Sequence, residues 1–203
     1  MQTRLLIPLL SFVFSLGLLA APPLSQSMPS GAMGFVELKG LGKKIVELRD
    51  SKLLTGAERA RLYDEILAAC RAWSIGMREP EEIDRLNIRE ATFLAMTRAI
   101  AIMGLTPGEL LIDGNCMPAK LPCPARAIIK GDLTEPAISA ASILAKVARD
   151  RAMAELCARY PAYGFSRHKG YGTAAHAEAL EAHGPCACHR KSFAPVARAL
   201  KAA

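Results

Sequence analysis

From residue 50 onward short apolar runs alternate with segments of helical periodicity, and this alternation restricts the fold of the chain more than any other feature. Thr55-Gly56-Ala57-Glu58 has the form of a capping box, in which the Thr oxygen takes an amide of the first turn and the Glu reaches back to the cap. Leu62, Ile66, Leu67 and Cys70 then follow at helical spacing. Trp73–Met77 alternates like a strand, Pro80 opens a helix over EEIDRL, and Asn87 with Glu90 caps a helix to Met103, where Gly104 ends it. Glu109–Ile112 and Ala127–Ile129 read as buried strands that stop at Asp113-Gly114-Asn115 and Lys130-Gly131-Asp132. Ile138–Arg159 reads as a long helix lined with small side chains and stopped by Pro161 and Gly164. Thr173 caps a helix to His183, and Phe193-Ala194-Pro195 introduces a last one. Strands interleaved with helices indicate an α/β sheet protein and exclude a helical bundle. Aromatic residues at 5% argue against an all-β sandwich, and 51% hydrophobic with 22% charged residues excludes disorder.

The first fifty residues follow other rules. Residues 5–20, LLIPLLSFVFSLGLLA, form an uncharged apolar run behind Arg4, followed by a Pro/Ser-rich stretch, in the order of a secretory signal peptide. Pro22 and Pro23 sit where cleavage is expected, and Pro8 interrupts the run. Residues 1–33 therefore read as a signal-like segment, as a buried helix, or as a stretch from another reading frame. GFVELKGLGKKIVELRD, residues 34–50, suggests a glycine-punctuated hairpin. The 203 residues leave room for one domain with such an appendage.

Chemistry is best placed where the strands end. Asp113 and Asp132 each close an apolar strand beside a glycine, and in open α/β sheets reactive groups gather at the carboxyl ends of strands. Two carboxylates there suit Mg2+ or Mn2+, though Asp-Gly is also an ordinary turn signal. A net charge of +7 points to a polyanionic partner, and residues 163–203 hold six Lys or Arg against two Glu. Lys169 and Arg190 lie in this stretch, as does Tyr171, set between Gly170 and Gly172 so that its ring is free to stack on a sugar or base. The six Cys are irregularly spaced, which excludes a disulfide framework. Cys186-x-Cys188-His189, with Cys116 and Cys123, reads either as a zinc knot or as reduced thiols, and the missing C-x2-C spacing favours thiols. The four His show no H-E-x-x-H pattern.

Seven blocks, in order, carry a resemblance to a known family: DSKLLT (50–55), PEEIDRLNIREATFLAM (80–96), LLIDGN (110–115), IIKGD (128–132), ISAASILAKVARDR (138–151), RHKGYGTAAH (167–176) and GPCACHRKSFAPV (184–196). Over residues 50–203 the chain closely resembles bacterial ribonuclease HII. The resemblance implies an α/β ribonuclease H-like mixed sheet flanked by helices with a small helical C-terminal part, here with its first strands atypical or missing. It places this domain at 34–203, with a substrate-binding region at 163–203. The implied activity is endonucleolytic, metal-assisted cleavage of RNA in RNA/DNA hybrids and of ribonucleotides embedded in duplex DNA, with Mg2+ or Mn2+, by a cytoplasmic monomer without a stable membrane partner. Of the four family carboxylates, the last two fall on Asp113 and Asp132. Tyr171 matches the tyrosine that packs on the deoxyribose after the ribonucleotide, and Lys52 the lysine that contacts backbone phosphate. With Tyr171, Lys52, Lys169 and Arg190 form the expected substrate-binding set.

The resemblance stops abruptly before residue 50. The family's first-strand motif, of the type DEAGRG, supplies the other two carboxylates and the loop that senses the 2'-hydroxyl. Here the acids before Asp50 are Glu37 and Glu47, neither next to an Asp nor followed by Gly-x-Gly. Arg49 also stands where Asn is usual and Leu53 where a second Lys is. The sequence thus predicts weak or absent hydrolysis with better preserved binding. A non-catalytic hybrid-binding protein and an exported protein with a reused body remain the competing readings.

Overall fold

The computed structural model describes residues 33–38 and 54–202. The expected hairpin turn, the apolar run 5–20 and Lys52 lie outside them. The elements run β1 (Met33–Leu38), α1 (Gly56–Ala69), β2 (Cys70–Gly76), α2 (Pro80–Leu86), α3 (Ile88–Ile102), β3 (Leu110–Asp113), β4 (Ala125–Ile128), α4 (Gly131–Thr134), α5 (Pro136–Arg159), α6 (Phe165–His168), α7 (Ala174–His183) and α8 (Ala194–Ala202), with a 3-10 turn at Pro161–Tyr163. Each helix and strand expected from residue 55 onward has a counterpart, but α4 and α6 are additional, and the strand expected at Ala127–Ile129 lies at Ala125–Ile128, none of it fully buried, with Ile129 exposed beyond its end.

Local chemistry explains the boundaries. The Thr55 capping box forms in full: the Glu58 amide donates to Thr55 Oγ1 at 3.2 Å and the Thr55 amide to Glu58 Oε2 at 2.7 Å. Asn87 Oδ1 accepts the amides of Arg89 and Glu90, so it caps α3, whereas the Glu90 carboxylate pairs with Arg89 instead of closing a box. β2 begins three residues earlier than the alternation suggests, because Cys70 turns extended at once while its amide still bonds Ile66 O; helix passes into strand with no loop.

The chain divides into two compact units. The first takes the described residues up to Gly76 and Thr92–Val147. It contains two strand pairs among the described residues, β1–β2 antiparallel and β3–β4 parallel, the latter aligning Leu110 with Ala125 and Asp113 with Ile128. Its core joins Leu62, Tyr63 and Ile66 of α1 with Leu111 of β3 and Ile138, Ile143, Leu144 and Val147 of α5. Small residues let α5 lie close: Ala140 is as fully buried as Ile143 and Leu144. The second unit takes Met77–Ala91 and the chain from Ala148. Its core gathers Met153, Leu156, Tyr163, Phe165, Leu180, Cys188 and Val196.

In the first unit β2 and α3 approach closely. Ser74 Oγ donates to the buried Ala99 carbonyl at 3.0 Å, and a methyl group added at Gly76 would stand 2.4 Å from the Ala95 carbonyl oxygen. The obstacle is backbone, so no rotamer relieves it. Gly76→Ala is expected to destabilise the protein by about 1–3 kcal/mol, read as a lower urea midpoint with an unchanged slope.

Candidate active site and substrate-binding surface

Parallel pairing decides where the two predicted acids go. Asp113 is the last residue of β3 and aligns with Ile128, the last of β4, and the Gly114 amide extends the ladder to Ile128 O at 2.9 Å. The chain then turns sharply: Lys130 adopts the left-handed conformation, with φ 55°, and points the Gly131 amide at Asp113 Oδ1, 2.8 Å away. Asp132 follows in α4. Asp113 and Asp132 thus leave the sheet at one edge, Asp113 accessible to solvent and Asp132 buried. Gly131 is needed there, since a methyl group would meet Ile138 Cδ1 at 2.5 Å and lie 3.5 Å from Asp113 Oδ1. The two carboxylates are oxygen donors of the kind hard divalent ions prefer, so they fit such an ion in chemistry. Among the described residues no set of three or more acids converges on a common point.

The second unit holds Lys169, Tyr171 and Arg190. The Tyr171 ring is half exposed, at 53%, yet fixed. The Arg149 guanidinium lies 4.6 Å from its centroid, donates through Nη1 to the Tyr171 hydroxyl at 3.0 Å, and through Nη2 to the Lys169 carbonyl at 2.9 Å. The Tyr171 carbonyl is held from the other side by His176 Nδ1 at 2.9 Å. Arg190 is half-buried and stacks over Phe193 at 5.2 Å; burial lowers its pKa, which the Asp84 charge opposes.

Sequence reasoning passed over Asp84, Arg149 and His176. Asp84, in α2, accepts the amides of Lys191 at 2.7 Å and Ser192 at 2.8 Å, and also the Ser192 hydroxyl. It thereby fixes the segment that presents Arg190. The only available signal was its place in the block PEEIDRL, which carries no spacing that announces a loop clamp. Beside it, Cys186 and Cys188 lie with their sulfurs 3.0 Å apart and Cys186 Sγ 3.1 Å from His189 Nδ1; all six cysteines are free thiols. The hydrogen bond from Cys188, more than the neighbouring His189, draws Cys186 down to about 4, and the same contact with burial pushes Cys188 up.

The architecture is that of the ribonuclease H-like class. It superposes on ribonuclease H2 from Pyrococcus horikoshii OT3 with a TM-score of 0.72 and 20% identity, over 88% of this chain and 94% of that one. A ribonuclease HIII solved in complex with Mn2+ gives 0.64 at 16% identity, over 84% and 64%. These likenesses establish the fold. The family model for ribonuclease HII matches residues 40–196, beginning ten residues before the DSKLLT block. Ribonuclease HII of Hyphomonas neptunium is 57% identical over 168 residues, covering 76% of this chain and 81% of the relative, and that of an Acidovorax species is 58% identical over 158 residues, covering 78% and 75%. The chain belongs to the ribonuclease HII family, a family of endoribonucleases.

Asp84 yields a prediction about acid. Burial raises its pKa, but the Ser192 hydroxyl, the two amides and Arg190 outweigh it and hold the carboxyl below 3.8. A carboxyl lowered by folding stabilises fully above its unfolded value and loses that contribution as pH falls through the folded one. Asp84→Asn is expected to cost about 1–2 kcal/mol at neutral pH, and the difference in thermal midpoint between variant and wild type should shrink below pH 3.8.

Proposed function

We propose that this chain recognises RNA/DNA hybrids and duplex DNA with embedded ribonucleotides, and that Asp113 and Asp132 hold Mg2+ or Mn2+ for phosphodiester hydrolysis that is weak in this chain. The observation that carries the reading is the shared edge of β3 and β4, where Gly131 fixes Asp113 and Asp132 follows directly. A divalent ion bound there would activate a water and neutralise charge on the phosphodiester. The chain's own part is positional. The Gly131 amide occupies one oxygen of Asp113 and sets the direction of the other, and Asp132 is anchored by burial. Two carboxylates neutralise a pair of divalent cations poorly, and the sequence before Asp50 offers no Asp-Glu pair to complete them. This is the reason to expect feeble turnover.

Binding rests on other residues. Tyr171, with its hydroxyl and carbonyl both tied down, offers a ring face already ordered for stacking on a sugar or base, so little rotamer entropy is lost on contact. Lys169, Arg190 and Lys52 supply cations for backbone phosphates. Such a protein acts as a monomer in the cytoplasm, beside the genome.

The test uses a duplex with one ribonucleotide. Salt-sensitive binding is expected, weakened roughly 5- to 100-fold by Tyr171→Ala and by less in Arg149→Lys, with barely detectable cleavage in Mg2+ or Mn2+. Robust cleavage abolished by Asp113→Asn would overturn the expectation of weak turnover and restore a full nuclease. Cleavage absent in every metal while binding persists would select the non-catalytic reading. No binding at low salt would end the hybrid proposal.

A further inference from the structure

The Cys186-Cys188-His189 turn plays no part in the reading above, and its geometry is that of a ligand set. Its three donor atoms, two sulfurs and one ring nitrogen, lie within 4.8 Å of one another. Cys188 and His189 are buried, whereas Cys186 is half-buried, which leaves a route for an ion to enter. The hydrogen bonds fix which nitrogen of His189 is free to ligate. His176 Nδ1 faces the Tyr171 carbonyl at 2.9 Å, and a carbonyl can only accept, so Nδ1 carries the proton. In neutral His176 the other nitrogen, Nε2, then accepts, and the atom facing it at 3.1 Å is His189 Nε2, which must donate. His189 Nδ1 is left with its lone pair turned towards the Cys186 amide and sulfur, each 3.1 Å away.

This is the arrangement of a metal-bound imidazole. One nitrogen presents a lone pair among thiols, and the other donates its N–H to a fixed acceptor that sets tautomer and ring orientation. We propose that Cys186, Cys188 and His189 bind one soft divalent cation of the Zn2+ type, with the fourth tetrahedral position left to water. The donor set selects the ion: thiolate and imidazole suit Zn2+ and leave Mg2+ and Mn2+ to carboxylates. A tetrahedral ion with bonds of about 2.3 Å to sulfur holds two sulfurs about 3.8 Å apart. The present 3.0 Å separation therefore opens by rotation of the Cys side chains, and the Cys186 amide gives up its contact with Nδ1. Bound there, the ion ties the 186–189 turn through His189 and His176 to the carbonyl of Tyr171.

The test is a Co2+ titration of the full chain, reduced and stripped of metal, followed by displacement with Zn2+. One ion per chain is expected, with the charge-transfer absorption that marks thiolate ligands and that carboxylates do not produce. Cys186→Ser together with Cys188→Ser should abolish that absorption, His176→Phe should weaken affinity by about tenfold or more, and Cys116→Ser with Cys123→Ser should change neither. In the unaltered chain Zn2+ should protect Cys186 and Cys188, but not Cys116, from alkylation, which holds even if a variant fails to fold. Absence of the thiolate absorption, its persistence when both Cys186 and Cys188 are Ser, or equal alkylation of all cysteines with and without Zn2+ would overturn the proposal. None of these readouts depends on nuclease activity.

Discussion

Parallel pairing of Leu110–Asp113 with Ala125–Ile128 decides where Asp113 and Asp132 lie. Parallel strands share a direction, so both end at the same edge, and whatever the sequence places just after them is delivered there together. Asp113 stands at the end of one strand and Asp132 four residues past the other. The intervening left-handed turn at Lys130 is what brings an amide onto Asp113 rather than letting the chain drift away. Burial of Leu110, Leu111 and Ile112 makes the pairing stable, since each apolar side chain removed from water adds roughly 1.5–3 kcal/mol.

The second unit solves a different problem, that of holding polar groups still on a wet surface. Tyr171 is half exposed, and an aromatic side chain in such a place ordinarily samples several rotamers. Arg149 removes that freedom by contacting ring, hydroxyl and the neighbouring carbonyl at once, a fork geometry that lysine cannot imitate. Asp84 does the corresponding work for the Lys191–Ser192 segment, with a carboxylate taking two backbone amides and a hydroxyl. In the same unit His168 and His176 stack with ring centroids 4.4 Å apart, and His176 Nδ1 holds the Tyr171 carbonyl.

Much of this was legible from residue order alone, and the reasons are local. Capping at Thr55, Asn87 and Thr173 depends on side chains within three residues of the amides they bind, so the helix starts were readable. Asp113 and Asp132 were readable as site candidates because an apolar run followed by an acid and a glycine marks the edge of a sheet. What escaped was non-local. Arg149 sits on a long helix among other charges, and nothing at its position tells that its partner is 22 residues away. The contact between His176 and His189, which sets ring orientation beside the cysteine turn, joins residues 13 apart and leaves no mark in the spacing. The strand Met33–Leu38 pairs antiparallel with β2, a non-local partner that residue order does not announce.

The reach of Asp84 has a temporal consequence. Its contacts to Lys191 and Ser192 span 107 and 108 residues, so the loop presenting Arg190 cannot dock until the last stretch of chain has emerged from the ribosome. Closing so long a loop costs entropy before any contact offsets it. During synthesis the nascent chain therefore carries Asp84 for some time before its partners arrive, and a stall or truncation near residue 190 would leave that carboxylate without the amides it fixes.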